Sequence, residues 1–266
     1  VIQRLGAGLV LVLAAAALLA PFLVPFSPDD QDILSRLLGP SAEHWLGTDN
    51  FGRDVLSRIL FGLRTLFAVS GLSVAGALTV GGSLGLTAAW MGGLVDRIVM
   101  RLADVLFAFP VILLAIGIIS LLRPGALSAA VAIGIAYTPI FARTLRAPAL
   151  LLRDADFIQA ARAVGAKGRR IVARHVLPNL ASIVLVQTSL SLSTAILVEA
   201  SLSFLGLGTQ PPTPSLGRML AESRNFITLS PWPAVFSGLA ILLASLGFNL
   251  LGDGLQERLD PRLRGV

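Results

Sequence analysis

An all-α integral membrane fold with six transmembrane helices is predicted by three observations. Only 14% of the 266 residues are charged and 55% are hydrophobic, whereas soluble domains carry about 25% charged residues; mean hydropathy is +0.82. Six apolar stretches, at about 5–25, 63–91, 98–122, 126–148, 180–205 and 233–252, reach the roughly 20 residues a helix needs to cross a bilayer. The basic residues are divided unevenly among the segments that join these stretches, as expected of a multi-pass protein.

Along the chain, the first stretch reads LGAGLVLVLAAAALLAPFLVPF. An Ala-rich run before a proline imitates a secretory signal, but its length argues for an uncleaved anchor. Numbering starts at Val1 rather than Met, which leaves room for a preceding segment. Residues 26–62 follow, opening on the turn-forming SPDDQD. From Asp54 onward Val55, Leu56, Ile59, Leu60 and Leu63 recur at helical spacing opposite Arg58. That spacing predicts a short amphipathic helix on the outer surface, with Thr48 or Asp49 as its N-cap. Residues 1–62 thus form a first unit, ahead of a five-span core over 63–252 and a cytoplasmic tail over 253–266.

In the second span Gly71, Gly76, Gly81, Gly82 and Gly85 favour close helix packing, between subunits if the protein is dimeric. Asp104 in the third lies within reach of Arg101 on the same helix and is expected to pair there. Residues 206–232 have Pro-rich ends around a helix-prone centre. Trp45 and Trp232 fit an aromatic belt at the outer interface.

Sidedness follows from charge. With the N-terminus inside, 14 of the 21 Lys and Arg residues fall on the inner side, eight of them between Arg143 and Arg174, and seven fall outside. The bias puts both termini in the cytoplasm, and it assigns the net charge of +6 to topology and lipid rather than to nucleic acid. The absence of Cys removes disulfides, thiol nucleophiles and Cys-based metal sites. There is no phosphate-binding Gly-Lys-Ser/Thr loop, no HExxH and no Ser/His/Asp set. No catalytic or metal-ligating residues are expected, and no cofactor in this chain.

One connection is longer than two spans require. Within residues 150–179, DADFIQAARAVGAKGRRIVARHVLPN predicts two short helices at the cytoplasmic surface. The first carries Asp154 and Asp156 in its first turn, where the helix dipole favours acids, and puts Phe157, Ala160, Ala161 and Val164 on one face with Gln159, Arg162 and Lys167 around the others. Gly165 allows a tight turn. Lys167 to Val176 forms the second, basic helix, which Pro178 stops. Its Arg169, Arg170 and Arg174 suit acidic partner groups or lipid phosphates. His175 is expected to pack or hydrogen-bond beside the loop, since the other histidine, His44, lies on the opposite side.

Ala160 and Ala161, then Gly165 four positions on, then Leu177 and Pro178, resemble the EAA loop of ABC importer permeases, with Gln159 where that motif has Glu. HWLGTDNFGRDVLSRILFGLRTLF, GGLVDRIVMRLADVLFAFPVILLAI, ILVEASLSFLGLG and NLLGDGLQERLDPRLR look like the C-type permease subunit of dipeptide, oligopeptide and nickel importers, from about residue 44 to the end. The resemblance implies a type I ABC importer permease fold in a prokaryotic plasma membrane. It further implies a homologous permease partner, two ATP-binding subunits that hold ATP and Mg, and an extracytoplasmic substrate-binding protein. Phe157, Gln159, Ala160, Ala161, Arg162, Val164, Gly165, Ala166, Leu177 and Pro178 would then dock the ATPase by shape more than by charge. Glu199, near the outer end of the fifth span, is the candidate for the translocation path. The cargo is expected to be a peptide, with nickel or another small solute as the alternative. An ion-coupled secondary transporter, the rival class, ordinarily has ionisable residues near the midplane, which these spans lack.

Overall fold

The computed structural model describes residues 2–259, and every regular element among them is helical apart from an isolated bridge between Thr48 and Asp54. α1 (Ile2–Leu18) and α2 (Ala20–Leu23) occupy the first predicted span. The continuous helix expected over 5–25 breaks at Leu19, because Pro21 in the first turn of α2 has no N–H for the preceding turn.

α3 (Val55–Met91) is a single helix of 37 residues, about 55 Å long at 1.5 Å per residue. The surface helix and second span expected separately are therefore one rod. Its N-cap is Asp54 rather than Thr48 or Asp49: the Asp54 carboxylate accepts from Ser57 N at 2.8 Å. Asp49 and Thr48 instead fold the preceding loop, Asp49 by accepting from the amides of Phe51 and Arg53 and Thr48 by donating to the Ser35 carbonyl. Arg58, expected on an exposed face, is buried because this loop lies across the start of α3. Its guanidinium donates to the Pro28 carbonyl at 2.9 Å and lies 3.5 Å from Asp49. Within the loop, hydrogen bonds from Ser35 Oγ and the Leu34 amide hold the Asp32 carboxyl below its ordinary pKa.

The third predicted span is not straight. α4 (Gly93–Phe107) and α5 (Val111–Leu122) meet at 94°. Pro110 ends helical hydrogen bonding there and disfavours helix at Phe109. α6 (Ala126–Arg153) continues past the predicted end at residue 148, with Pro148 inside it. α7 (Asp156–Ala163) and α8 (Gly168–Ile171) follow, and a π-helical turn over Val172–Val176 carries the chain into α9 (Leu177–Phe204). Pro178 does not stop the basic helix. It sits in the first turn of α9, where a missing N–H is tolerated. α10 (Leu216–Ser223) and α11 (Trp232–Leu259) complete the described residues. The predicted tail thus begins within α11, while residues 260–266, with Arg262 and Arg264, lie outside the described residues.

Among the described residues four helices are long and apolar enough to cross a membrane: α3, α6, α8 to α9 taken together, and α11. The bent α4–α5 pair makes a fifth if counted as one span, whereas α1 is shorter.

α3 and α6 run side by side in the same direction, and glycines set their spacing. A Cβ on Gly81 would lie 2.2 Å from the Thr138 carbonyl oxygen, and one on Gly85 equally close to that of Ala142. Gly81 and Gly85 therefore serve packing within the chain. Gly71 and Gly76 approach nothing within 4 Å. Phe141, Leu145, Val74 and Ile133 fill the seam. α9 and α11 are antiparallel, joined by Ser193 and Ser245, whose hydroxyls donate to each other's carbonyls at 2.8 and 3.1 Å. α1 packs along α11 through Gly6, where a Cβ would meet the Leu251 amide nitrogen at 2.5 Å.

Gly85→Leu is expected to lower stability by about 3 kcal/mol, the upper range for overpacking against atoms that cannot move aside. Gly76→Ala should leave stability unchanged or slightly raised. Thermal unfolding of the detergent-solubilised protein checks both, and equal melting temperatures for the two variants would contradict the close α3–α6 contact.

Candidate functional site

The predicted docking stretch hangs between the ends of α6 and α9. α7 is closed by hydrogen bonds from the Gly165 amide to the Arg162 carbonyl (2.8 Å) and from the Ala166 amide to the Ala161 carbonyl (3.0 Å), a Schellman arrangement that needs a left-handed residue at 165. Gly165 supplies it with φ of +85°. Ile158 and Ile171 are fully buried against the α3–α6 core and root the two short helices.

Of the four residues expected on one face, Ala161 turns inward beside Ile158. Phe157, Ala160 and Val164 face out, Phe157 46% and Val164 89% exposed. Gln159, Arg162 and Gly165 are also exposed, as are Leu177 and Pro178 at the start of α9, and Ala166 is half-buried. The outward surface is therefore a ridge of small and apolar residues, interleaved with Gln159 and Arg162, that ends at Val164–Gly165. Beside it Arg170, Arg174 and His175 line a basic hollow of about 430 Å³ with Ala161, Val164 and Gly165. The His175 ring lies 6.4 Å from that of Phe157.

The loop grips the end of α3, a feature outside the sequence reading. The Arg162 guanidinium lies over the Trp90 ring, 5.0 Å from its centroid. Gly168 fits against the same ring, since a Cβ there would be 3.0 Å from Trp90 Nε1. From the end of α6, Arg153 donates to the Ala89 carbonyl at 2.8 Å, placing a cation at the negative end of the α3 dipole. A tryptophan one residue before the end of an apolar run was the visible signal, but only the fold brings residues 90, 162 and 168 together.

α4 crosses α6 through two further ion pairs. Asp96 accepts from both Nε and Nη2 of Arg146. Asp104 pairs with Arg143 rather than with Arg101 on its own helix, because α4 lies across α6 and turns that carboxylate toward it. The Phe107 ring also covers the Arg143 guanidinium, at 4.2 Å.

At the opposite end, Arg53 binds Asp49 at 2.7 Å and Glu222 of α10 at 3.2 Å, and Glu222 also accepts from Arg218 at 2.9 Å. His44 is buried, its Nδ1 3.0 Å from Asp54. These contacts join the 26–54 loop to the 206–232 connection. Glu199 is only 1% exposed; its Oε1 accepts from Ser203 Oγ at 2.8 Å. α10 packs directly beside it, where a Cβ on Gly217 would lie 2.1 Å from the Ala200 carbonyl oxygen.

Residues 81–265 match the family described as binding-protein-dependent transport system inner membrane component, and residues 4–40 match the N-terminal TM domain of oligopeptide transport permease C. The chain is 46% identical over 248 residues to the dipeptide transport system permease protein DppC of Alkalihalophilus pseudofirmus, covering 93% of this chain and 82% of that one. It is also 46% identical over 261 residues to the glutathione transport system permease protein GsiD of Pectobacterium atrosepticum, covering 97% and 87%. Among solved structures, a chain of the MetNI methionine ABC transporter in an inward-facing conformation superposes with a TM-score of 0.62 at 19% identity, covering 76% of this chain and 96% of that one. This last likeness is one of fold.

Trp90→Ala should loosen α7 from α3 by about 2 kcal/mol, through lost packing and a lost cation–π contact. Amide hydrogen exchange at 158–163 is then expected to accelerate more than tenfold, with residues 81–85 and 138–142 unaffected. Unchanged exchange in α7 would mean that Trp90 does not hold it.

Proposed function

The chain belongs to the family of binding-protein-dependent transport system inner membrane components, and on that premise we propose that it is one of two homologous permease subunits of an ATP-driven peptide importer. The peptide reading is supported by the dipeptide and glutathione permeases to which the chain is 46% identical. On this reading the chain crosses the membrane six times, through α1–α2, α3, α4–α5, α6, α9 and α11, in the type I importer arrangement. Both termini lie in the cytoplasm, as the distribution of basic residues favours. The partners are a second permease, two ATP-binding subunits that carry out hydrolysis with ATP and Mg, and an extracytoplasmic protein that delivers the peptide.

The observation that carries the reading is the ridge of α7. Phe157, Ala160 and Val164 make its outward side small or apolar between the exposed Gln159 and Arg162, its tip at Val164 is 89% exposed, and its inner face is rooted by Ile158 and Trp90. Such a ridge suits insertion into a cleft of an ATPase subunit, with Gln159 available for hydrogen bonding in place of a carboxylate. Movement of that subunit would then be delivered to α3, α6 and α9 together, since the loop touches the ends of all three. A ligand shifts a conformational equilibrium only by differential contacts in the two states, and those contacts fall on this ridge.

Gly165→Trp introduces a bulky side chain at the left-handed turn, and Ala161→Arg forces a charge toward the seat of α7. Both variants are expected to insert in the membrane normally, to lose co-purification of the ATPase subunits, and to lose ATP-driven peptide uptake by at least about tenfold, given the loss of the docking contacts. Normal assembly and uptake in both would sink the docking role.

A further inference from the structure

We propose that the break between α4 and α5, residues 107–110, forms part of the wall of the water-filled path that peptide takes through the inner half of the membrane. The inference rests on the transport reading above and gives it a location, which Glu199, sealed beneath α10, does not.

Depth is set by α6. Its outer end at Ala126 follows Arg123 and Gly125, and Arg143 lies 17 residues further on, about 25 Å along the helix. The hydrocarbon layer is about 30 Å thick, so Arg143 and the Phe107 ring that covers it lie inside its inner part. At this level the regular helix ends at Phe107, and Ala108, Phe109 and Pro110, all exposed, make the turn into α5. No side chain caps the start of α5 at Pro110, so its first amide groups have no helical partner. Irregular backbone is not tolerated against lipid tails; at membrane depth it is found only where protein covers it or water reaches it.

A second observation chooses between those coverings. The Asp104–Arg143 pair beside the break leaves 51% and 46% of its side chains exposed. An open ion pair is costly against hydrocarbon and characteristic of a water-filled cavity. Phe107 and Phe109, 41% and 54% exposed, flank the same opening. Uncapped backbone amides, a paired charge and two aromatic rings are the groups that peptide bonds, charged termini and apolar side chains of a short peptide can pass in turn without a single deep binding minimum.

The chain contains no Cys, so single cysteines report water contact directly. Ala108→Cys, a minimal change in size, and Phe109→Cys are placed in the full complex in inside-out vesicles and treated with a membrane-impermeant cationic thiol reagent, with modification read on this chain by mass. Leu113→Cys and Leu121→Cys, on exposed apolar faces of α5, are the references. Cysteines at 108 and 109 are expected to react at least about tenfold faster than the references, as water contact in place of lipid demands, and to slow when excess dipeptide is present. Rates no faster than at Leu121→Cys, whether lipid or the second permease covers the break, overturn the proposal. ATP-driven release of dipeptide loaded with the binding protein into the lumen of the same vesicles is measured, since inside-out membranes turn import into efflux. Absent release by the parent complex sinks the transport reading whatever the labelling, whereas normal release with unreactive cysteines at 108 and 109 sinks the path assignment alone.

Discussion

The backbone contact between α3 and α6 at Gly81 and Gly85 is the constraint from which the remaining architecture follows. Carbonyl oxygens of Thr138 and Ala142 occupy the space that side chains at those glycines would fill. Without a hydrophobic driving force inside lipid, such close van der Waals approach is a principal source of helix association. It aligns two helices that run in the same direction and end at the same face, with Arg153 of one bonded to Ala89 of the other. The stretch proposed to dock can then be short and still touch both ends. A looser pair would leave Trp90 out of reach of Arg162 and Gly168.

Charge is concentrated where this pair meets its neighbours. Asp96–Arg146 and Asp104–Arg143 tie α4 across α6, and Arg53 and Arg58 tie the 26–54 loop to the start of α3 and to α10. α3, unbroken for 37 residues, connects these two networks. A rigid element with a latch at each end is the kind of device through which an event at one end can be felt at the other. The proposed path lies beside the inner network, where α4 turns away from α6 and helical backbone is interrupted.

Much of this was legible in the sequence because it depends on local pattern. Apolar runs gave the main spans, Gly165 its turn, and the EAA-like spacing its place between two spans. What escaped depends on groups distant in the chain. Arg58 reads as the polar face of an amphipathic helix, but a loop 30 residues earlier covers it. Asp104 has a neighbour of opposite charge one turn away, yet the crossing of α4 over α6 offers a better one 39 residues on. Pro178 reads as a stop because a proline inside a helix usually is one, whereas the π-helical turn before it resets the hydrogen-bond register. Pro110 carried the signal for the break in the third span, but apolar composition continued through it and hid the bend.

With these contacts the proposed docking stretch and the adjoining ends of α3 and α6 form one body that moves as a unit. Spin labels on Ala160→Cys and Thr87→Cys, made possible by the cysteine-free chain, measure the α7–α3 distance in the assembled transporter with and without bound ATP. A third label on the second permease reports that the complex has changed state. The same α7–α3 distance is expected in both states while the distance from α7 to the second permease changes. A change in the α7–α3 distance itself would contradict it, because the loop would then swing free of the helices it is said to drive.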